Sequence, residues 1–396
     1  MTSDREGQDG DGSSIRAVLL TNFISPNMTE VFRGVARRLA TFTVLLSVPM
    51  EANRQWSPDH EDLDVVVQRN VTFRRRRRHP SGYAEDQFVH VPYDSWRQLA
   101  RRRPDVVVSH ELGARSIFAA MYARRYKTAF VLCVFLSERT EAGLARRRSS
   151  LRRRLVRRAD VVTCNGPSGR RYLVRELGVD VARLMPVEYA ADPRKLYRGS
   201  IRPFVETGLE FLTIGQLVER KGVEPALAAL VELAVCHPDE PVVWNVVGVG
   251  PLHGLFDAAN LPANLRVDLL GHLEPDEIVA MYARSEVLLF PTLADEWGLV
   301  TEEALGSGLA VLGSVHSQSV ETLVQDDING FTFDPERPGD ILVALERWRS
   351  LAPEQRVAMR ERGRGSVVER TPERAADQLV VACEVAIARR GRRKQR

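Results

Sequence analysis

One stretch of the sequence indicates the fold: Val287-Leu288-Leu289-Phe290-Pro291-Thr292-Leu293-Ala294-Asp295-Glu296-Trp297-Gly298-Leu299. Four apolar residues before a proline are typical of a strand that is buried on both faces, as in a parallel sheet. An acidic loop follows, and a helical pattern begins near Gly298. Because ligands of open α/β sheets bind beyond the carboxyl ends of the strands, this stretch predicts an α/β fold with a ligand site after residue 290.

The same alternation of strands and helices continues on both sides of this stretch. We expect buried strands at 17–20, 43–46, 64–67, 105–108, 129–132, 160–163, 210–214, 242–247, 265–270, 287–290 and 310–312. Helices are predicted between them, at 29–40, 113–125, 141–158, 168–177, 224–236, 251–259, 275–283, 299–307 and 318–325. Strands that alternate with helices form doubly wound parallel sheets, so both halves are predicted to be Rossmann-like.

The length of the chain predicts two domains. Its 396 residues exceed the ~250–300 at which a single hydrophobic core stops growing. A polar segment with two prolines, residues 192–203, is interpreted as the linker. We expect a disordered tail (1–14), an N-terminal Rossmann-like domain (15–195), a C-terminal one (204–371), and a helix with a basic tail (372–396) that packs back toward the first domain. The two domains would face each other across a central cleft.

Composition excludes several classes of protein. With 44% hydrophobic residues and a net charge of +4, the chain can build ordinary globular cores. It has no apolar run of 18 residues to span a membrane, and its polar first residues lack the apolar segment of a secretion signal, so a cytoplasmic location is expected. Neither the four separated cysteines nor the Asp62-Leu63-Asp64 pattern has the partners of a metal site, so no metal or cofactor is expected.

Two glycine-containing loops follow predicted strands of the second half. In the first, Gly215 permits a tight turn and Lys221 can reach a phosphate, although such a pair is also common in simple turns. In the second, Gly248-Val249-Gly250 precedes Pro251, which would start a helix. This loop also looks like a dinucleotide fingerprint, which leaves a nicotinamide-dependent oxidoreductase as an alternative. That fingerprint normally follows the first strand of a domain, however, and Gly248 follows the second.

The acidic loop after residues 287–290 combines two kinds of group. Asp295 lies before the predicted helix and Glu303 about one turn inside it, so both carboxylates can project toward the same cleft edge. The N–H groups of Gly298, Leu299 and Val300 at the helix start can bind an anion. Carboxylates facing hydroxyl groups, beside N–H groups facing phosphate, suit a nucleotide-activated sugar. The alternative is a helix start whose acidic residues are favoured only by the helix dipole.

At these loops the chain resembles the family 4 retaining glycosyltransferases of the GT-B fold. Four elements match in the order in which the family has them: Gly215 to Gly222, Gly248 to Leu252, Asp295 to Ala304, and Ser307 to Gly313 followed by Asn329-Gly330. The resemblance is strong across about 205–335 and weaker, though continuous, across the N-terminal half.

The resemblance implies that the glycine loops bind a donor diphosphate. Lys221 would contact the diphosphate, with Gly215 and Gly250 in the adjoining turns. Gln216 stands where the family often has an arginine, and Arg220 would have to supply the missing charge.

The resemblance also implies roles in holding the donor and its sugar. Asp295 would hold the sugar hydroxyls and Glu303 the ribose, with Glu296, one residue out of register, as the second choice. In the N-terminal domain, His110 would contact the sugar or the acceptor, with Glu111 as its neighbouring substitute.

The activity implied by the resemblance is the transfer of a sugar from a nucleoside diphosphate to an acceptor hydroxyl, with retention of configuration and without a metal. The catalytic set would be Asp295, Glu303, Lys221 and His110. The acceptor would be a glycan, a lipid-linked molecule or a small molecule, bound by the N-terminal domain. A non-catalytic nucleotide-sugar-binding protein or membrane scaffold of the same fold is the alternative.

Three arginine-rich segments lie in the N-terminal half, namely Arg74–Arg78, Arg101–Arg103 and residues 146–158. They could attract anionic lipid at the inner face of a membrane, at about 1 kcal/mol per basic residue near the surface, or they could simply be solvated. A helix over the third segment would align Leu144, Leu151 and Leu155. Nucleic acid is not expected as a partner, because few aromatic residues lie among the arginines.

Overall fold

The computed structural model of the chain describes residues 13–51, 59–201, 208–257 and 259–395. Residues 1–12 of the predicted tail lie outside the described residues, whereas Ser13 and Ser14 already belong to the first strand. Two parallel sheets with helices on their faces form two Rossmann-like domains, which confirms the predicted α/β class.

The N-terminal half begins with a strand and alternates thereafter. Its elements are β1 (Ser13–Thr21), α1 (Pro26–Arg38), β2 (Leu39–Leu46), β3 (Asp64–Val67), β4 (Asn70–Arg78), β5 (Ala84–Pro92), α2 (Ser95–Arg102), β6 (Val106–His110), α3 (Ala114–Tyr126), β7 (Ala129–Val134), α4 (Arg146–Val156), β8 (Val161–Cys164), α5 (Pro167–Arg171) and β9 (Leu184–Pro186). Seven strands form a parallel sheet in the order β3-β2-β1-β6-β7-β8-β9, and β4 and β5 pair as a separate antiparallel hairpin.

The winding of this sheet reverses between β1 and β6, which are hydrogen-bonded neighbours with Val18 opposite Val107. Continuous apolar runs explain the central strands, because every residue of β6 and β7 is buried. Helices that leave such a pair on opposite faces open a crevice at the carboxyl ends of the strands. His110, the last residue of β6, stands at this crevice.

The C-terminal half repeats the architecture. Its elements are β10 (Leu209–Ile214), α6 (Val223–Cys236), β11 (Val242–Val247), α7 (Gly254–Asp257), β12 (Leu265–Gly271), α8 (Pro275–Arg284), β13 (Val287–Phe290), α9 (Leu299–Gly306), β14 (Ala310–Ser314), α10 (Gln318–Leu323), β15 (Gly330–Phe333), α11 (Asp340–Arg349), α12 (Pro353–Ser366) and α13 (Pro372–Gln395). The sheet order is β12-β11-β10-β13-β14-β15, all parallel. Because the winding reverses between β10 and β13, the loops that follow these two strands begin side by side.

The last helix, α13, packs on the N-terminal domain. Gly34 of α1 lies so close to it that a Cβ added there would stand 2.7 Å from the Cβ of Ala376. Arg38 pairs with Asp377 at 2.6 Å, and Leu379 and Cys383 are buried in the core shared with β7. Although α13 is 24 residues long, neither it nor any other described helix has the apolar length to cross a membrane.

Several local predictions were wrong. The arginine run Arg74–Arg78 forms strand β4 of a hairpin that was not predicted. Helix α7 begins at Gly254 rather than at Pro251, because residues 251–253 form a turn. Helix α4 does not carry the predicted leucine stripe, since Leu151 is 50% exposed while Leu155 is buried.

Candidate active site

The carboxyl edges of the two sheets face each other, and hydrogen bonds join their loops. Ser137 Oγ donates to the backbone oxygen of Asp295 at 3.3 Å, and Asn165 Nδ2 donates to that of Glu296 at 3.3 Å. Gln318 Oε1 accepts from the N–H of Gly169 at 2.7 Å. The acidic loop therefore lies where the two domains meet, in the cleft between them.

The two glycine loops pack against each other. The N–H of Leu217 donates to the backbone oxygen of Val249 at 3.0 Å. Gly248 has a φ of 141°, and a Cβ there would collide with the oxygen of Gly215; a Cβ on Gly250 would collide with the oxygen of Leu217. Close approach of two backbones therefore explains these glycines without a dinucleotide ligand.

A short 3₁₀ turn, Glu219–Lys221, brings Lys221 to the acidic loop. Its Nζ forms an ion pair with Asp295 Oδ2. Gly222 ends the turn with a φ of 67°, and a Cβ there would collide with the backbone oxygen of Pro291. The first and third motifs are thus held in direct contact.

Asp295 is surrounded by positive charge. Burial would raise the pKa of its carboxyl, but Lys221 and Arg220 outweigh burial and lower that pKa below its ordinary value. Arg220 Nη1 lies 3.8 Å from Asp295 Oδ2. Gln216, for which Arg220 was expected to compensate, is half-buried next to Gly215. The ionised carboxylate can accept hydrogen bonds from sugar hydroxyls.

The start of α9 is shaped by Gly298. It has a φ of 95°, and the ring of Phe290 and the hydroxyl of Ser317 leave no room for a Cβ. The N–H groups of the first turn, including those of Leu299 and Val300, have no acceptor within the helix and can bind an anion. Glycine at this position therefore allows the backbone to turn sharply into the cleft.

Glu303 does not share the partners of Asp295. Its carboxylate accepts from Tyr282 Oη at 3.2 Å and lies 4.0 Å from Lys195 Nζ, and burial raises its pKa. Its neighbour Glu302 is buried elsewhere and accepts hydrogen bonds that help join the domains. The ribose role of Glu303 therefore stays a prediction.

His110 is buried between the rings of Phe32 and Phe135, with 6% of its surface exposed. Burial, with a smaller contribution from Arg115, lowers its pKa to about 3, so the imidazole is neutral at physiological pH. Its Nε2 is buried and has no hydrogen-bond partner among the described residues. A neutral imidazole with an unused nitrogen suits a contact with a sugar hydroxyl.

Further carboxylates line the same cleft. The side chain of Glu296 is exposed, yet the protein atoms around its carboxyl limit solvation, and this desolvation, followed by the charges of Glu111 and Glu141, raises its pKa. Burial and Glu141 likewise raise the pKa of Glu111, against the effect of Arg115. The carboxyl groups of the cleft therefore have pKa values shifted in opposite directions, upward for Glu111 and Glu296 and downward for Asp295.

Potential metal-ligating side chains occur in the Asp62-Leu63-Asp64 pattern and in a further group. Asp62 and Asp64 each bind a side chain of their own domain. Among the described residues, one group has potential ligand atoms within 4.8 Å of one another: His316, Asp334 and Glu336. Arg139 of the N-terminal domain already pairs with Glu336 there.

Two pairings in the cleft could not be inferred from the sequence. Arg220 Nε donates to Glu85 Oε2 at 3.0 Å, although the residues are 135 positions apart. Arg152, from the third arginine-rich segment, is buried in an ion pair with Glu141. No sequence pattern predicts either pair. Glu85 and Arg220 are remote along the chain, and Arg152 is one of many arginines in a uniform run.

Two family models match the chain. The glycosyl transferase 4-like domain matches residues 24–190, and the glycosyl transferases group 1 model matches residues 200–366. Together they match most of the chain.

The curated relatives are similar over part of their length. A glycogen synthase of Mycobacterium tuberculosis is 28% identical over 269 residues, which are 65% of this chain and 62% of that enzyme. A D-inositol 3-phosphate glycosyltransferase of Corynebacterium kroppenstedtii is 24% identical over 210 residues, 48% of this chain and 46% of the relative. The chain is thus matched to less than two thirds of each relative.

Solved structures share the fold. The sucrose-phosphate synthase of Thermosynechococcus elongatus has a TM-score of 0.67 at 14% identity, with 92% of this chain and 98% of that chain covered. HepE of Anabaena, solved with UDP and glucose, has a TM-score of 0.66 at 14% identity, with 93% and 98% covered. With both family models matched in sequence order, the chain belongs to the family 4 glycosyltransferases of the GT-B fold.

Proposed function

We propose that this protein is a retaining glycosyltransferase that moves a sugar from a nucleoside diphosphate to an acceptor hydroxyl. One observation carries the proposal: Lys221 and the ionised Asp295 touch at the edge of the C-terminal sheet, beside the helix start at Gly298. A lysine and helix N–H groups suit a diphosphate, and a carboxylate suits sugar hydroxyls. The arrangement fits the two ends of a sugar–diphosphate bond.

The donor is proposed to be a nucleoside diphosphate hexose, as supported by the structure of HepE with UDP-glucose. When the diphosphate enters, Lys221 turns from Asp295 to the phosphate oxygens, where negative charge develops as the sugar leaves. Asp295 then accepts hydrogen bonds from the sugar, and Glu303 turns from Tyr282 to the ribose hydroxyls.

The transfer itself is proposed to occur on one face of the sugar. The acceptor oxygen bonds to the anomeric carbon on the face from which the diphosphate departs, and the acceptor proton passes to a leaving phosphate oxygen. The neutral His110 orients a hydroxyl near the reacting carbon through its unused Nε2. Acceptor classes are a glycan, a lipid-linked molecule or a small molecule.

We propose that no metal is required, since Lys221 and the first turn of α9 supply the positive potential for the leaving group. Activity unchanged by a chelator supports this, and activity lost to the chelator and restored by a divalent cation contradicts it.

We also propose a cytoplasmic location with contact to the inner face of an anionic membrane. Val71, Phe73 and Val89 lie on one face of the β4–β5 hairpin and are 46%, 57% and 37% exposed. Exposed arginines of β4 flank these apolar side chains. Apolar groups beside basic groups suit an anionic lipid surface.

A thermal-shift panel tests the donor proposal, with UDP, ADP and GDP and their glucose derivatives as probes. A ligand at about 100 times its Kd stabilises the fold by roughly 2.7 kcal/mol. If no probe stabilises the protein, the proposed function is wrong.

Hydrolysis of the bound donor tests catalysis. Lys221→Ala and Asp295→Ala are expected to lower the rate at least about 100-fold, because each removes a charged contact to the donor. Lys127→Ala, which removes a lysine beyond the end of α3, is the matched control and should retain the wild-type rate. Donor binding without hydrolysis or transfer would instead favour the non-catalytic alternative.

A further inference from the structure

Arg220 is fixed between the two domains. Its Nε donates to Glu85 Oε2 at 3.0 Å, and its Nη1 donates to the backbone oxygen of Ala294 at 3.0 Å. The same Nη1 lies 3.8 Å from Asp295 Oδ2. One edge of the guanidinium is thus held by the N-terminal domain while its other end approaches the sugar-binding carboxylate.

Glu85 is presented by the β4–β5 hairpin rather than by a free loop. The N–H of Ala84 donates to Glu219 Oε2 at 3.2 Å, next to the residue that Glu85 holds. Near its turn, the hairpin is anchored by Arg77, which pairs opposite Glu85 and whose guanidinium donates to the backbone oxygens of Thr140 and Ala142 at 2.8 Å each. The position of Glu85 is therefore set by the packing of the hairpin.

The charges around Asp295 must change when a donor binds. Asp295 has two cations beside it, Lys221 in contact and Arg220 slightly farther away. A diphosphate carries more negative charge than one carboxylate and draws Lys221 to itself. Arg220 is then the cation that remains to orient Asp295 against the sugar.

We propose that Glu85 is a positioning residue that holds Arg220 against Asp295, so that the hairpin of the acceptor domain sets the recognition of the donor sugar. This inference rests on the proposed function, in which Asp295 contacts the sugar and Lys221 the diphosphate. Its specific consequence is that loss of Glu85 weakens binding of a nucleotide sugar but not binding of the nucleoside diphosphate alone.

The test compares wild type, Glu85→Gln and Asp86→Asn by calorimetric titration with UDP, UDP-glucose, ADP and ADP-glucose. Asp86→Asn is the matched control, because Asp86 lies next along the strand and pairs with Arg74 within the hairpin at 2.5 Å. Glu85→Gln is expected to lower the affinity for the nucleotide sugar about 5- to 10-fold and the affinity for the nucleoside diphosphate less than about 2-fold. The loss is modest because one charge-assisted contact is removed indirectly. Asp86→Asn should bind both as wild type does.

A double-mutant cycle establishes the path through Arg220. Arg220→Gln should weaken the nucleotide sugar at least as much as Glu85→Gln, and the double variant should be no weaker than Arg220→Gln alone. Glu85→Asp, which keeps the carboxylate, should recover affinity to within about 3-fold of wild type.

The outcomes separate the inference from the function on which it rests. Equal losses for diphosphate and nucleotide sugar in Glu85→Gln, or no loss of either, overturn the positioning role while the function stands. Additive losses in the double variant also overturn it. If wild type binds none of the four probes, the proposed function fails and the inference fails with it.

Discussion

Burial and neighbouring charge set the protonation of each residue in the cleft. Asp295 is ionised because Lys221 and Arg220 outweigh its burial. Glu303 is buried too, but its cation is Lys195 at 4.0 Å, and its pKa is raised. The pKa values of these two carboxyl groups, eight positions apart, are therefore shifted in opposite directions. As the pH falls, Asp295 stays ionised longer than Glu303 and so continues to accept hydrogen bonds as a carboxylate.

The buried His110 predicts a dependence of stability on pH. Its folded-state pKa of about 3 lies below the ordinary value of 6.5, so the unfolded chain takes up the proton first as the pH falls. The contribution of the neutral His110 to the free energy of unfolding is fully present above pH 6.5 and is lost as the pH falls toward 3. At pH 4.5, two units below the unfolded value, the loss is about 2 to 3 kcal/mol.

The measurement is urea unfolding of wild type and His110→Gln at pH 7.5 and 4.5. The variant should lose about 2 to 3 kcal/mol less than wild type between the two values, because glutamine does not titrate. The comparison at pH 7.5 supplies the control for any change in packing. Identical pH dependence of the two proteins would contradict the buried neutral imidazole.

At the scale of elements, the strand-to-helix turns of the C-terminal sheet place the chemistry. The sequence run 287–290 was predicted as a buried strand, and β13 has these bounds because four apolar residues end at a proline. Lys221 and Asp295 were expected to serve one donor, and their contact follows from the neighbouring positions of β10 and β13. Apolar patterns in the sequence sufficed for these elements because β13 is apolar throughout and β10 is mostly apolar.

The hairpin was beyond sequence reasoning for a physical reason. Strands that are half buried show alternation of apolar and polar residues, and five successive arginines show none. Arg74 to Arg78 form a strand because β5 pairs with them in register, with Arg77 opposite Glu85. The contact of Glu85 with Arg220 depends on the tertiary position of that hairpin, so no local pattern encodes it.

Two glycines at helix starts give a matched test of the turn at α9. Gly298 and Gly339 both have positive φ, 95° and 81°, at the starts of α9 and α11. A Cβ on Gly339 meets nothing within 4 Å, whereas one on Gly298 meets Phe290 and Ser317. Gly339→Ala should cost about 1 kcal/mol from backbone strain, and Gly298→Ala roughly 2–4 kcal/mol, because crowding adds to that strain.

Urea unfolding measures both costs, and nucleotide thermal shifts measure the effect on binding. Only Gly298→Ala should also weaken the response to UDP or ADP, because it moves the first turn of α9. Equal free energies of unfolding for the two variants would contradict the crowding at Gly298.

At the scale of the whole molecule, basic and apolar side chains are exposed together on the hairpin. Phe73→Ser is expected to reduce binding to vesicles that contain phosphatidylglycerol, because Phe73 is the most exposed of the three apolar side chains on that face. Val235→Ser, at a 63% exposed valine of α6 in the other domain, is the matched control. Sedimentation with anionic and with neutral phosphatidylcholine vesicles is the measurement.

Binding to anionic vesicles should weaken as salt is raised, since the Debye length falls to about 3 Å at 1 M. If the protein bound neutral vesicles equally well, or if Phe73→Ser bound anionic vesicles as wild type does, the proposed contact of the β4–β5 hairpin with anionic lipid would be wrong.

The docking of α13 on α1 has a consequence for how the two domains are joined. The chain passes from the N-terminal to the C-terminal domain near residues 187–201 and returns through residues 367–371 to α13. Because two covalent crossings join the domains, any opening of the cleft would have to be accommodated by both segments at once. A single cut near residue 195 would therefore not release an intact N-terminal domain, because the piece would lack the helix that buries Gly34 and would expose that part of its core to water.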